Sequence, residues 1–236
     1  MPSTPVVVLD STLTDIADAI RGKNGSSDTY KPSEMPAAIT AIPSGGGVGI
    51  PREVNANGVY GWPTQSFTFS LPANATNVGP SAFSYAFYPC TSLTSVDFSS
   101  LTTISGAGAF AYAFYECASL TSADFGSLTT VSETNVFSNA FYNCTSLASL
   151  SFPALTSLTG SNVFYRAFRG CTSLTSLSFP ALTASSFGSG TGQFDDMLRG
   201  VTGCTIHFPA STQAKIGSMS GYPNFGGTNT AVLFDL

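Results

Sequence analysis

Charge is scarce in this chain. Asp, Glu, Lys and Arg make up 9% of its 236 residues, 13 acidic against 8 basic, for a formal net charge of −5; globular proteins average about 25%. No basic run occurs, so the electrostatic footprint that nucleic acid requires is missing. No stretch approaches the ~20 apolar residues of a membrane-spanning helix. Histidine occurs once, at His207, which leaves His-based triads and metal clusters almost nothing to draw on. The five cysteines include no C-x₂₋₄-C pair, the spacing that zinc sites use. Ser44-Gly45-Gly46-Gly47 is followed by no Lys-Ser/Thr, so this stretch reads as a linker and not a phosphate loop. These gaps together lead us to expect no enzyme, no cofactor and no metal. Met1–Asp10 also carries neither a basic start nor the apolar core of about 7–15 residues that a signal peptide needs. If Met1 is the natural start, the expectation is no export by the chain's own leader.

With 43% hydrophobic residues and little charge, the polar surface must be built from Ser, Thr, Asn and Gly. Such a surface suits an extracellular or virion-borne module. The decisive positive feature is a rhythm: Cys90, Cys117, Cys144 and Cys171 recur at a constant spacing of 27 residues. A fixed period of that length marks a solenoid, in which each copy buries its apolar face only against its neighbours. Equivalent cysteines then stack in adjacent coils as small buried fillers rather than disulfides.

Aligned on cysteine, the copies are SAFSYAFYPCTSLTSVDFSSLTTI (81–104), GAFAYAFYECASLTSADFGSLTTV (108–131), NVFSNAFYNCTSLASLSFPALTSL (135–158) and NVFYRAFRGCTSLTSLSFPALTAS (162–185). A degenerate fifth copy passes through Phe194, Leu198, Arg199 and Gly200, has Val201 in the cysteine position, and ends in CTIHFPAS (204–211). Phe83, Ala86, Phe87 and Cys90 stand at i, i+3, i+4 and i+7, which predicts a short helix. Leu93, Val96 and Phe98 follow, as L-x-x-L-x-L, predicting a strand. Three phenylalanine columns face inward: Phe83, Phe110, Phe137, Phe164; Phe87, Phe114, Phe141, Phe168; and Phe98, Phe125, Phe152, Phe179.

The segments AFYPCTSLTSVDF (86–98), AFYECASLTSADF (113–125), AFYNCTSLASLSFP (140–153) and AFRGCTSLTSLSFP (167–180) resemble the BspA-like leucine-rich repeat family, over roughly residues 65–210. That resemblance implies an α/β solenoid of about five units with stacked short parallel strands. The expected division is a small helical attachment module (1–43), a Gly-rich linker (44–49), an N-terminal cap (50–80), the repeats (81–210) and a C-terminal cap (211–236). In the last of these, 211–219 is expected to form a helix and 230–236 an edge strand. STLTDIADAIRGKNGSSDTYKPSEMPAAITAI (11–42) resembles a helical module of tail-fibre proteins from phages and prophages of Gram-positive hosts, and the C-terminal sequence resembles phage-encoded repeat proteins. Those likenesses imply a virion-borne tail protein, made in the host cytoplasm. Its implied partners are other tail proteins, through residues 1–43, and a host surface glycan or protein, and its implied assembly is a homo-trimer. The competing reading is a secreted BspA-like adhesin, extracellular or on the cell surface; a surface-polymer hydrolase is a third.

Candidate binding residues are outward positions that vary while the core repeats. Two before cysteine stand Tyr88, Tyr115, Tyr142 and Arg169; five before it stand Tyr85, Tyr112, Asn139 and Arg166. On the predicted helix these form a convex Tyr-to-Arg band, of residue types enriched in binding hot spots. The opposite strand face carries Ser95, Asp97, Ser122, Asp124, Ser149, Ser151, Ser176 and Ser178. Asp97 and Asp124 are expected one coil apart, as a solvated pair rather than a catalytic one. His207 takes the equivalent outward position in the last copy, and the neighbours Asp195 and Asp196 make no catalytic signature.

Overall fold

A computed structural model describes residues 65–236 together with 53–54 and 60–63. The expected helical module (1–43) and linker (44–49) lie outside the described residues. The chain divides into two compact units, Met1–Gln65 and Ser66–Leu236. In the first, β1 (Glu53–Val54) and β2 (Tyr60–Gly61) pair antiparallel.

The second unit is a parallel β-solenoid. The first four coils each contribute two strands, one to each of two separate sheets, and the later ones a single strand. The longer strands are β3 (Phe67–Ser70), β5 (Leu93–Asp97), β7 (Ser122–Asp124), β9 (Ser149–Ser151), β11 (Ser176–Ser178), β12 (Thr205–His207) and β13 (Ala231–Leu233). They run parallel as β3-β5-β7 and β9-β11-β12-β13, with β7 beside β9. The two-residue strands β4 (Asn77–Val78), β6 (Thr103–Ile104), β8 (Thr130–Val131) and β10 (Ser157–Leu158) form the second parallel sheet. Register follows the repeat: Asp97 pairs with Asp124, Ser151 with Ser178, and Ser178 with His207. Strands this short hold because every coil supplies the same apolar residues to the same depth, so each ladder extends the one before it.

The third side of each coil is not the predicted helix. Along 81–88 the N–H groups of Ser81, Phe83, Tyr85 and Phe87 donate to the carbonyls of Ala107, Ala109, Ala111 and Ala113 in the next coil. The intervening Ser84, Ala86 and Tyr88 donate back three residues, to Ser81, Phe83 and Tyr85. A helix spends its N–H groups on its own carbonyls; here half of them bind the neighbouring coil. The result is a ribbon of consecutive four-residue turns. Each turn needs a left-handed residue, and positive φ recurs at every fourth position: Ser81 and Tyr85, Gly108, Tyr112 and Glu116, Asn135, Asn139 and Asn143, Asn162, Arg166 and Gly170. The apolar spacing that suggested a helix arises because a four-residue turn also returns residues i and i+4 to one face. At the corner leading into the ribbon the coils approach closely. A Cβ on Gly160 would stand 2.0 Å from the Glu133 carbonyl oxygen.

The three phenylalanine columns are buried in the core, as expected. Rings of one column stack, as in Phe137–Phe164 (5.3 Å, 5°) and Phe152–Phe179 (5.5 Å, 3°). Rings of facing columns meet edge to face, as in Phe98–Phe110 (4.9 Å, 89°). Phe194 and Phe208 continue two of the columns. Phe194 follows Phe164 by three residues more than the repeat length, and the same shift puts Val201 in the cysteine position; Cys204 stands three residues beyond it, where the preceding coil has Leu174. At the C-terminal end α1 (Gln213–Gly217) buries Ile216, and β13 pairs with β12. The Leu198 N–H donates to Phe225 O where another ribbon would otherwise follow.

All five cysteines are buried and free. They do more than fill space. The thiols of Cys117, Cys144 and Cys171 donate to the carbonyls of Phe87, Phe114 and Phe141 in the preceding coil, at 3.3, 3.1 and 2.9 Å. Desolvation pushes Cys117, Cys171 and Cys204 up to about 12 and Cys144 well above the usual thiol range.

Candidate functional site

The turn ribbon buries two residues and presents the next two outward, as in Ala113-Phe114 and Tyr115-Glu116, and this places the variable columns of the repeat on one face. Tyr85, Tyr112, Asn139 and Arg166 occupy the left-handed position of successive coils, with φ of 55, 57, 54 and 52°. Asn tolerates that conformation; Tyr and Arg do so at a cost of roughly 1–2 kcal/mol. Tyr88, Tyr115, Tyr142 and Arg169 form the adjoining column.

The tyrosines are in continuous contact. Tyr85 stacks on Tyr112 (4.7 Å, 3°) and Tyr115 on Tyr142 (4.4 Å, 9°). Tyr88 meets Tyr115 edge-on at 5.3 Å, and Tyr112 leans on Tyr115 at 5.8 Å. The band is open to solvent at its N-terminal end, where Tyr85 is 54% and Tyr88 42% exposed. Desolvation, with the neighbouring Tyr142 and Glu116, holds the Tyr115 hydroxyl above its ordinary value.

The basic end of the band is tied down. The Arg169 guanidinium lies over the Tyr142 ring at 5.3 Å, and that of Arg166 over Tyr165 at 4.7 Å. Asp196, in the Arg166 column of the next coil, pairs with Arg166 at 3.4 Å and Arg199 at 3.6 Å. The structure thus brings all seven singled-out residues, Tyr85, Tyr88, Tyr112, Tyr115, Tyr142, Arg166 and Arg169, onto the ribbon face. Its arginines serve internal contacts.

Beside the band lies a cleft of about 510 Å³ lined by Tyr112, Asn135, Ser138, Asn139, Asn162 and Tyr165, with Ala107, Gly108 and Ala111 at one wall. The sequence reading missed most of it. Its signal was one column inward of the band: Ser84, Ala111 and Ser138 are small, and Tyr165 breaks the run.

On the strand face Asp97 and Asp124 each accept a backbone N–H two residues on, from Ser99 and Gly126 (2.9 and 2.7 Å). They serve turns. His207 Nδ1 sits 3.0 Å from Asp235. No group of three His, Cys, Asp or Glu side chains among the described residues is disposed to hold a metal, and no described helix is long and apolar enough to cross a membrane.

Against this geometry, the model of the BspA type leucine rich repeat region matches in six copies across residues 64–191. The chain belongs to the BspA-type leucine-rich repeat family. Among solved structures, the BspA-type chain is similar to a leucine-rich repeat protein of T. pallidum at 22% identity, over 72% of this chain and 70% of that one, with a TM-score of 0.45. It is also similar to a leucine-rich cell surface protein of Faecalibacterium prausnitzii A2-165, at 22% identity over 77% of this chain and 37% of that one, with a TM-score of 0.35. No curated protein matches it.

Proposed function

We propose that this BspA-type solenoid is a non-enzymatic binding module whose ribbon face engages a surface glycan or protein. The stacked tyrosine band carries the reading. Five tyrosines are in mutual contact on one face, and two of them hold a strained left-handed backbone where Asn139 does the same structural work without strain. Strain of that kind is kept where function requires the side chain. Tyrosine is suited to the task, since it gives rigid, amphipathic contact area with little side-chain entropy to lose. A module of this kind needs only a regular scaffold and variable outward positions, and the repeat supplies both.

The finer reading is a phage-tail protein, attached to other tail proteins through residues 1–43 and assembled as a trimer. It rests on the likeness of residues 11–42 and of the C-terminal sequence to phage proteins. The second placement is an adhesin on a cell surface, which the BspA-type repeat serves equally well. Two measurements test these readings. Labelled full-length protein should bind intact bacteria, and Tyr88→Ser with Tyr115→Ser should reduce that binding about tenfold or more. Undiminished binding by the double variant would remove the ribbon face from the function. Mass spectrometry of purified particles decides the placement: absence of the chain from them excludes the tail.

A further inference from the structure

We infer that the cleft between Tyr112 and Tyr165 is a subsite for one ring of a neutral glycan; this deepens, and rests on, the reading of the ribbon face as a binding surface. The cleft is made by two opposite steps in neighbouring columns. In the left-handed column the side chain shortens from Tyr112 to Asn139. In the next column it stays small through Ala111 and Ser138, then rises to Tyr165. An aromatic side chain therefore stands at either end of a gap about two coils long. Its volume, about 510 Å³, falls within the roughly 300–1,000 Å³ of small-ligand sites.

The polar groups between the two rings suit hydroxyls. Asn139 Nδ2 donates to Ser138 Oγ at 3.0 Å, which leaves the Ser138 proton and the Asn139 carbonyl oxygen for a ligand. The side-chain amide of Asn135, which is exposed, makes no hydrogen bond among the described residues; that of Asn162 has its Oδ1 against Gly192 of the next coil. An amide offers two donors and an acceptor, the complement of adjacent sugar hydroxyls. Charge is absent from the lining. The nearest arginine, Arg166, is committed to Tyr165 and Asp196, so an acidic sugar would find no free cation. Holding the guanidinium against Tyr165 also restrains the ring that closes the cleft. Aromatic faces with uncharged amides between them select a neutral, hydroxyl-rich ring over an anion or an apolar peptide.

The test uses the full chain on an array of neutral oligosaccharides built from glucose, galactose and N-acetylglucosamine, with sialylated and sulfated glycans alongside, followed by calorimetric titration of the best binder. Neutral glycans should bind and their anionic counterparts should not gain. Tyr165→Ala should weaken binding about five- to tenfold, the loss of one stacked ring, while Tyr165→Phe keeps it. Ser138→Tyr places in the cleft a residue that its own column already accommodates at Tyr165, and should abolish binding with the melting transition retained. Full binding by Ser138→Tyr overturns the cleft assignment, and concurrent loss in Tyr88→Ser would keep the ribbon face as the binding surface. Preference for anionic glycans overturns it as well. Binding to bacteria without binding to any neutral glycan rejects the sugar class alone; binding to neither rejects the ribbon-face reading too.

Discussion

At Cys117, Cys144 and Cys171 the cysteine of the inner seam is better placed than a simple filler would be. Its thiol donates to a Phe carbonyl of the preceding coil, an oxygen that already accepts a backbone N–H, as Phe114 does from Cys117. Alanine leaves a gap the size of a sulfur atom and loses that bond; serine keeps a donor. Cys144→Ala should therefore destabilise by about 1–3 kcal/mol, and Cys144→Ser by less, in urea unfolding. Equal or greater loss for serine would return the residue to the status of packing. At Tyr112 the balance is different. Tyr112→Asn relieves left-handed strain but removes the Tyr85 stack, worth about 0.5–1.5 kcal/mol. The terms oppose, so stability should stay within about 1 kcal/mol of the parent while binding falls; a larger loss would make the ring structural.

The turn ribbon is the element that sequence periodicity misread. Strands and phenylalanine columns were legible because a 27-residue rhythm aligns them, and an L-x-x-L-x-L segment has one economical way to bury its leucines. The ribbon was not, because its apolar residues satisfy helical spacing. A second signal was present in the polar residues. Asn135, Asn139 and Asn143 recur every fourth place, and Gly170 ends the next series in the same register. Asn and Gly tolerate positive φ and weaken a helix interior, so a helix would not carry them in that rhythm. The outward columns were legible for the same reason as the core, since the repeat brings equivalent positions together whatever the local conformation. The cleft was not, because it depends on the height difference between neighbouring columns. Asn139→Ala, which removes a side chain adapted to φ 54°, should destabilise by about 1 kcal/mol, and Asn139→Gly by less. A reversed order would place the constraint elsewhere.

At the scale of the whole molecule, the buried thiols set its response to alkali. In the unfolded chain they ionise near pH 8.5; Cys117, Cys171 and Cys204 stay protonated in the fold to about 12. Their contribution is intact below pH 8.5 and falls as pH rises toward 12, because the unfolded chain then binds fewer protons than the folded one. Each such thiol adds about 1.4 kcal/mol per pH unit to that fall. Urea midpoints should drop steeply between pH 9 and 11, and less steeply in Cys117→Ala with Cys171→Ala; parallel slopes would refute the assignment. Because the coils are held mainly by nearest neighbours, deleting residues 135–161 should leave a cooperative melt at lower temperature. Deleting 135–147 alone should abolish folding, since it displaces every later phenylalanine from its column.

The forward donation of ribbon N–H groups to the next coil gives the array a direction of inheritance. Any gene rearrangement that copies one full period inserts a complete coil with its core, its seam and its bonds to both sides already in place. Such a copy also brings a fresh set of outward residues, free to diverge without disturbing the interior. Tyr112 and Asn139, which share a column and a backbone conformation yet build the end and the middle of one cleft, are the outcome of that freedom. A lineage built on this coil can change what it recognises by duplication and drift at the surface, with no need to redesign its fold.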